Sequence, residues 1–244
     1  MIVVKGKNLL IACVLALACV AAAVCIGAMN RPGENAVVSD IKVVIDAGHG
    51  GIDGGVVGVK TGVKESELNL DVARKLAKLF ENAGVEAVLT RKNDAGLYGT
   101  ATGNLKRKDM EARRDIILKE KPDLVISVHM NRYSVSTRRG AQVFFDEDSE
   151  LGKKLAECVQ ASFNAMEEAV RQCSALKGDY YILNSHPYPA CIAECGFLSS
   201  PEDEALLVTE SYREKIAYAI FKGAIDYLSE QTSYARFPHQ AEYV

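Results

Sequence analysis

From Ile41 onward the chain alternates two kinds of segment, and this alternation limits its fold more tightly than any other feature. Short runs of β-branched and apolar residues are separated by stretches whose apolar residues return every three or four positions. Apolar residues at consecutive positions suit a strand buried on both faces, whereas the longer period draws one apolar stripe along a helix. The segments IKVVIDAG, VEAVLT, DLVISVH, AQVFFD, YYIL and ACIAEC read as strands. Glu65–Ala83, Leu105–Lys119, Glu150–Val170 and Tyr212–Leu228 read as helices. The first of them carries Leu68, Val72, Leu76, Leu79 and Phe80 on one side and stops at Gly84. Strands and helices in this order predict one α/β domain over residues 41–230. Its sheet should be mostly parallel and twisted, with about six strands and helices on both faces. A polar tail, 231–244, follows.

The segment before this domain is of another kind. Lys5 and Lys7 precede an uncharged run from Asn8 to Asn30, long enough to cross a bilayer as a helix. Basic residues ahead of such a run favour a cytoplasmic N-terminus, with everything after it exported. Residues 1–30 therefore read as a signal peptide cut near Ile26-Gly27-Ala28, or as an uncleaved membrane anchor, which the length of the run favours. Leu10-Ile11-Ala12-Cys13 is not a lipoprotein cleavage box, because its cysteine does not close the apolar run. Residues 31–40 form a linker. The net charge of −3 argues against nucleic acid as a partner. Cys13, Cys19 and Cys25 lie in the leader, and Cys158, Cys173, Cys191 and Cys195 in the exported domain. No Cys-x-x-Cys pair is present, so thiolate zinc is not expected, and these four read as small buried side chains rather than bridges.

Polar residues that end apolar runs carry the functional signal. His49, His129 and Glu194 fall at the carboxyl ends of predicted strands, and Glu65 opens the helix after the first one. Ligands of largely parallel sheets bind beyond those strand ends, so the four residues should share one side of the molecule. Glycines around His49 let the backbone turn tightly, and Asp46 is expected to fix the tautomer of its ring. The loop is not a phosphate cradle: Asp53 stands where the last glycine of G-x-G-x-x-G belongs. Glu65 and Glu67 are both explained by the dipole of a first helical turn, and the residues alone do not choose between them. His129 follows an apolar strand directly and sits beside Asn131. Glu194 interrupts ACIAECGFL, where a carboxylate is costly unless paired or used. His, Glu and His in such places suit a zinc site with an open position, and a further carboxylate suits a general base. His186, between Ser185 and Pro187, reads as a plain loop histidine, with a place on the pocket rim as the alternative, and His239 of the tail has no role.

The segments DAGHGGIDGG, KESELNL, LTR, SVHMNR, GAQVFF and AECGFLSSPEDEALL resemble, in order, the signature blocks of the zinc-dependent N-acetylmuramoyl-L-alanine amidases. The resemblance spans nearly all of residues 41–228. It implies that His49, Glu65 and His129 bind Zn2+, which selects Glu65 over Glu67, and that Glu194 is the catalytic base. Within the family the chain is similar to the germination-specific, CwlD-type amidases of spore-forming bacteria. The grounds are a single N-terminal anchor, no wall-binding repeats, the stretch from Lys108-Asp109-Met110 to Arg114, and the cysteine after Glu194.

The resemblance implies hydrolysis of the amide joining the lactyl group of N-acetylmuramic acid to L-alanine, with peptidoglycan as substrate. It implies a place on the outer face of the cytoplasmic membrane or in the wall, and a part in spore-cortex maturation and germination. An accessory lipoprotein is a further expected partner. Two rival readings are a catalytically silent peptidoglycan-binding protein on the same fold and another exported zinc peptidase acting on wall peptides.

Overall fold

A computed structural model describes residues 41–236; the apolar leader, the linker and residues 237–244 lie outside the described residues. In chain order the elements are β1 (Lys42–Ala47), α1 (Glu65–Asn82), β2 (Glu86–Leu89), α2 (Leu105–Glu120), β3 (Leu124–Asn131) and β4 (Gln142–Phe145). They continue with α3 (Glu150–Asn164), β5 (Leu176–Lys177), α4 (Tyr181–Asn184), β6 (Ala190–Phe197), α5 (Pro201–Leu207) and α6 (Glu210–Arg236). Among these, no helix is long and apolar enough to cross a membrane.

The six strands form one sheet in the order β2-β1-β3-β6-β4-β5. The first four run parallel, while β4 pairs antiparallel with β6 and parallel with β5. Val43, Val44 and Ile45 of β1 are all fully buried, as a strand covered on both faces requires. Val44, Val125, Ala190 and Ile192 pack on one face against Ile117 of α2 and Ile182 and Leu183 of α4. Helix α6 packs against both α1 and α3. Leu68, Val72, Leu76 and Phe80 recur every fourth residue along α1, and all four are buried. Gly223 of α6 is required by close approach: a Cβ there would lie 2.5 Å from the Cα of Val159 in α3.

The α/β fold and its largely parallel sheet match the sequence reading, with local differences. YYIL is not a strand. Its last three residues open α4, a single turn closed by Ser185 N–H donating to the Tyr181 carbonyl at 3.1 Å. Adjacent Ile182 and Leu183 are both buried in this turn, where they join the core cluster on one face of the sheet. The sixth strand is instead the two-residue β5. Helix α3 ends at Asn164, not Val170, because the Asn164 side chain turns to Cys173, accepting from its N–H at 3.0 Å and donating to its carbonyl at 2.7 Å. Helix α5 was not anticipated, although Ser200 caps it, Pro201 opens it and three acidic residues fill its first turn. Cys158, Cys173, Cys191 and Cys195 are unbridged, with the last two buried.

Candidate metal centre

Strand β1 stays in register with β3 through Ala47 and Val128, and β3 with β6 through His129 and Glu194. The residues just past these points therefore share one edge of the sheet. The chain leaves β1 through Gly48, whose N–H still donates to the Val128 carbonyl at 3.1 Å. It then turns at His49, which takes the left-handed conformation with φ 60 despite its side chain. Such a residue costs on the order of 1–3 kcal/mol and persists only where its surroundings impose it. Gly48 is needed because a Cβ there would lie 2.2 Å from ring atoms of His129.

The turn points His49 at the start of α1. Its Nε2 lies 3.2 Å from Glu65 Oε1, and its Nδ1 lies 3.0 Å from Asp53 Oδ2. His129 Nδ1 is 2.9 Å from the same Glu65 oxygen, and the two imidazoles meet edge to face, 5.0 Å between centroids. Glu65 is 1% exposed and firmly held. Its Oε1 also accepts from Met130 N–H at 3.1 Å and Asn69 Nδ2 at 3.2 Å, and its Oε2 from Val56 N–H at 2.8 Å. Glu67 is exposed, so geometry separates the two glutamates. The ligand atoms of His49, Glu65 and His129 lie within 4.8 Å of one another, the one group among the described residues able to hold a metal ion.

The electrostatics favour a cation there. Burial works to raise the Glu65 carboxyl, but the hydrogen bonds and charges of His129 and His49 hold it far below the usual carboxylate range. Burial works to lower His49, but Glu65 and Asp53 raise it to about 9. The cluster thus demands positive charge, from protons or from a metal that displaces them.

Glu194 stands beside this group with different chemistry. Burial pushes its carboxyl up, the charge of His129 offsets part of that, and Glu65 adds to it, leaving it at about 7. Its Oε2 is buried without a hydrogen-bond partner. A carboxyl so placed can give and take a proton near neutrality.

All four residues singled out in the sequence thus come to one place, and one expectation about their support needs correction. Asp46 does not touch His49. It lies behind the loop, accepting from Thr90 Oγ1 at 2.7 Å, Ser127 Oγ at 2.6 Å and Arg113 Nη1 at 2.6 Å. Burial would raise its pKa, but these partners, Arg113 foremost, hold it at about 2. The carboxylate on the His49 ring is Asp53, noticed in the sequence only as the residue that spoils a glycine motif. His186 is not part of the cavity. Its Nδ1 accepts from Tyr188 N–H at 3.3 Å and its ring lies against Tyr188.

A cavity of about 680 Å³ opens above the cluster. Besides the four residues it is walled by Ile52, Tyr98, Lys106, Met110, Arg132, Tyr180 and Tyr181. These were missed in the sequence. The signal available for Tyr98 was the long loop after β2, since loops of that length in compact domains are commonly functional.

Comparison with known proteins identifies the family. Residues 43–226 match the family model described as N-acetylmuramoyl-L-alanine amidase. The germination-specific N-acetylmuramoyl-L-alanine amidase of Bacillus subtilis is 30% identical over 193 residues, covering 78% of this chain and 80% of that protein. AmiA of Escherichia coli is 27% identical over 229 residues, covering 76% of this chain and 75% of that protein. Among solved structures, the CwlD amidase of Clostridioides difficile in complex with the GerS lipoprotein superposes with a TM-score of 0.75 at 33% identity, covering 78% of this chain and all of that one. The match of the family model to most of the described domain, together with these relatives, shows that the chain belongs to the N-acetylmuramoyl-L-alanine amidase family.

Proposed function

We propose that this protein is a zinc-dependent hydrolase of the amide between the lactyl group of N-acetylmuramic acid and L-alanine in peptidoglycan. The observation that carries the reading is the convergence of His49, Glu65 and His129 beside a buried Glu194 oxygen that has no partner. Two imidazoles and one carboxylate are a donor set that zinc favours, and the positive charge the cluster demands fits a divalent ion. Zinc bound there would supply Lewis acidity, polarising the amide carbonyl and making a neighbouring water acidic enough to attack near pH 7.

The chain's own residues do the rest. Asp53 holds His49 through Nδ1 and leaves Nε2 facing Glu65, which selects the nitrogen available to a metal. Glu194 accepts the proton of the attacking water and returns it to the departing alanine amine. A carboxyl poised near 7 can perform both transfers, and its unpartnered Oε2 is the atom free to carry the proton. Tyr98, Tyr180 and Tyr181 offer cavity walls for the sugar and peptide on either side of the bond.

The apolar leader supports a catalytic domain held outside the cytoplasmic membrane or released to the wall. Likeness to a germination-specific amidase supports work on the spore cortex, where stem removal would precede muramic lactam formation. Likeness to an amidase solved with a lipoprotein supports an accessory lipoprotein as partner.

Digestion of purified peptidoglycan by the full chain tests the reading. Mass spectrometry should find stems that begin with a free alanine amine and glycans with a free lactyl carboxyl. Release should stop with chelator and return with zinc. New amines elsewhere in the stem would instead support the peptidase reading, and intact wall with zinc present would support a silent binder.

A further inference from the structure

Three successive carbonyls, those of Ala47, Gly48 and His49, leave the end of β1 with no strand to pair with. All three are taken by arginines. Arg113 of α2 donates Nη1 to the Ala47 carbonyl at 2.7 Å and Nη2 to the His49 carbonyl at 2.6 Å. Arg91, just past β2, donates Nε to the Ala47 carbonyl at 2.8 Å and Nη2 to the Gly48 carbonyl at 3.0 Å. Asn69 adds Nδ2 to the Gly48 carbonyl at 3.1 Å while also binding Glu65. The Arg113 guanidinium is itself fixed by Asp46 and by Asp109, whose Oδ2 accepts from Nε at 2.6 Å. Arg113 and Arg91 are only 1% and 2% exposed.

Burying two cations side by side is an expensive way to support a loop, and such networks contribute little net stability against an apolar core of equal volume. What they provide here is direction. A guanidinium presents donors in a rigid planar fork, so it can fix several carbonyls at once. The His49 carbonyl is among those fixed, and His49 holds the strained left-handed conformation.

We propose that Arg113 is a positioning residue: with Arg91 it clamps the Ala47–His49 backbone so that the His49 ring meets Glu65 and His129, and so sets the affinity of the site for metal. This inference rests on the proposed zinc reading.

The experiment compares zinc affinity of the full chain, by competition with a chelating dye, for wild type and Arg113→Lys. Lysine keeps a positive charge beside Asp46 and Asp109 but cannot serve two carbonyls and two carboxylates together. The expected result is a zinc affinity about 10–100-fold weaker. Gly223→Ala, a change at the α3–α6 contact remote from the clamp, serves as the control for lost stability, and its affinity should stay within about 2-fold of wild type. Arg113→Lys binding zinc as wild type does would overturn the inference alone, and so would an equal loss in the Gly223→Ala control. A wild-type chain that takes up no zinc would overturn the zinc reading and the inference with it. Should Arg113→Lys not fold, Asp109→Asn loosens the Nε end of the same guanidinium; a several-fold loss supports the clamp and unchanged affinity overturns it.

Discussion

At Glu194 a single atom separates the proposed proton carrier from an inert side chain. Glutamine fills the same space but cannot accept a proton and pass it on. Glu194→Gln is therefore expected to keep zinc binding, because the proposed ligand atoms belong to other residues, while turnover falls about 10²–10⁴-fold, the usual worth of a general base. Zinc content and amine release, measured on one preparation, check both halves; turnover within a few-fold of wild type would remove Glu194 from the mechanism. His129→Ala should lose metal and turnover together. The sequence exposed His49, His129 and Glu194 because each breaks an apolar run at a strand end. Local pattern alone did not separate Glu65 from Glu67, since both suit a first helical turn, and the family resemblance chose Glu65. The direction of the turn from Gly48 to Lys64, which brings Glu65 to the histidines, is not written in the residues. Asp46 was given the place on the His49 ring that Asp53 holds, for the same reason. Distance along a strand is legible, whereas the direction of a loop returning from it is not.

Among the elements, periodicity identified the long helices and the apolar strands, and failed where a segment was too short to show a period. YYIL has the β-branched and aromatic content of a strand, yet as a single turn it buries two adjacent side chains. The α3–α6 contact shows a second kind of information that periodicity lacks. Gly223 reads as a weak point in a helix, since alanine there would improve helix propensity by roughly 1 kcal/mol. Its Cβ would, however, lie 2.5 Å from the Val159 Cα, and neither backbone can give way as a side-chain tip could. Helix separation has to increase, and overpacking of this kind costs typically about 1–3 kcal/mol. Gly223→Ala should therefore be less stable, with a lower thermal midpoint by scanning calorimetry. A midpoint equal to or above wild type would show that α6 moves aside freely.

The whole molecule owes its site to the point where the sheet changes direction. From β1 the chain passes through α1 to β2 on one side, then crosses to β3 on the other, so the connections leaving β1 and β3 part and open a crevice between them. His49 follows β1, and His129 lies near the carboxyl end of β3. Asp46, at the floor of this crevice, joins four parts of the fold: its own strand β1, Thr90 beyond β2, Ser127 of β3 and Arg113 of α2. Its carboxyl is 2% exposed and held at about 2, against an ordinary 3.8. A depressed carboxylate contributes stability that is complete above its unfolded pKa and is lost as pH falls through the folded one. The window therefore lies between about pH 4 and pH 2, and the contribution is on the order of 2 kcal/mol. Asp46→Asn cannot ionise, so it should unfold at lower urea than wild type at pH 7, and that gap should close as pH approaches 2. Urea midpoints of metal-free wild type and variant, taken at half-unit steps across this range, read the closure directly. A gap that stays constant to pH 2 would mean that Asp46 joins these elements through its shape and hydrogen bonds, without its charge.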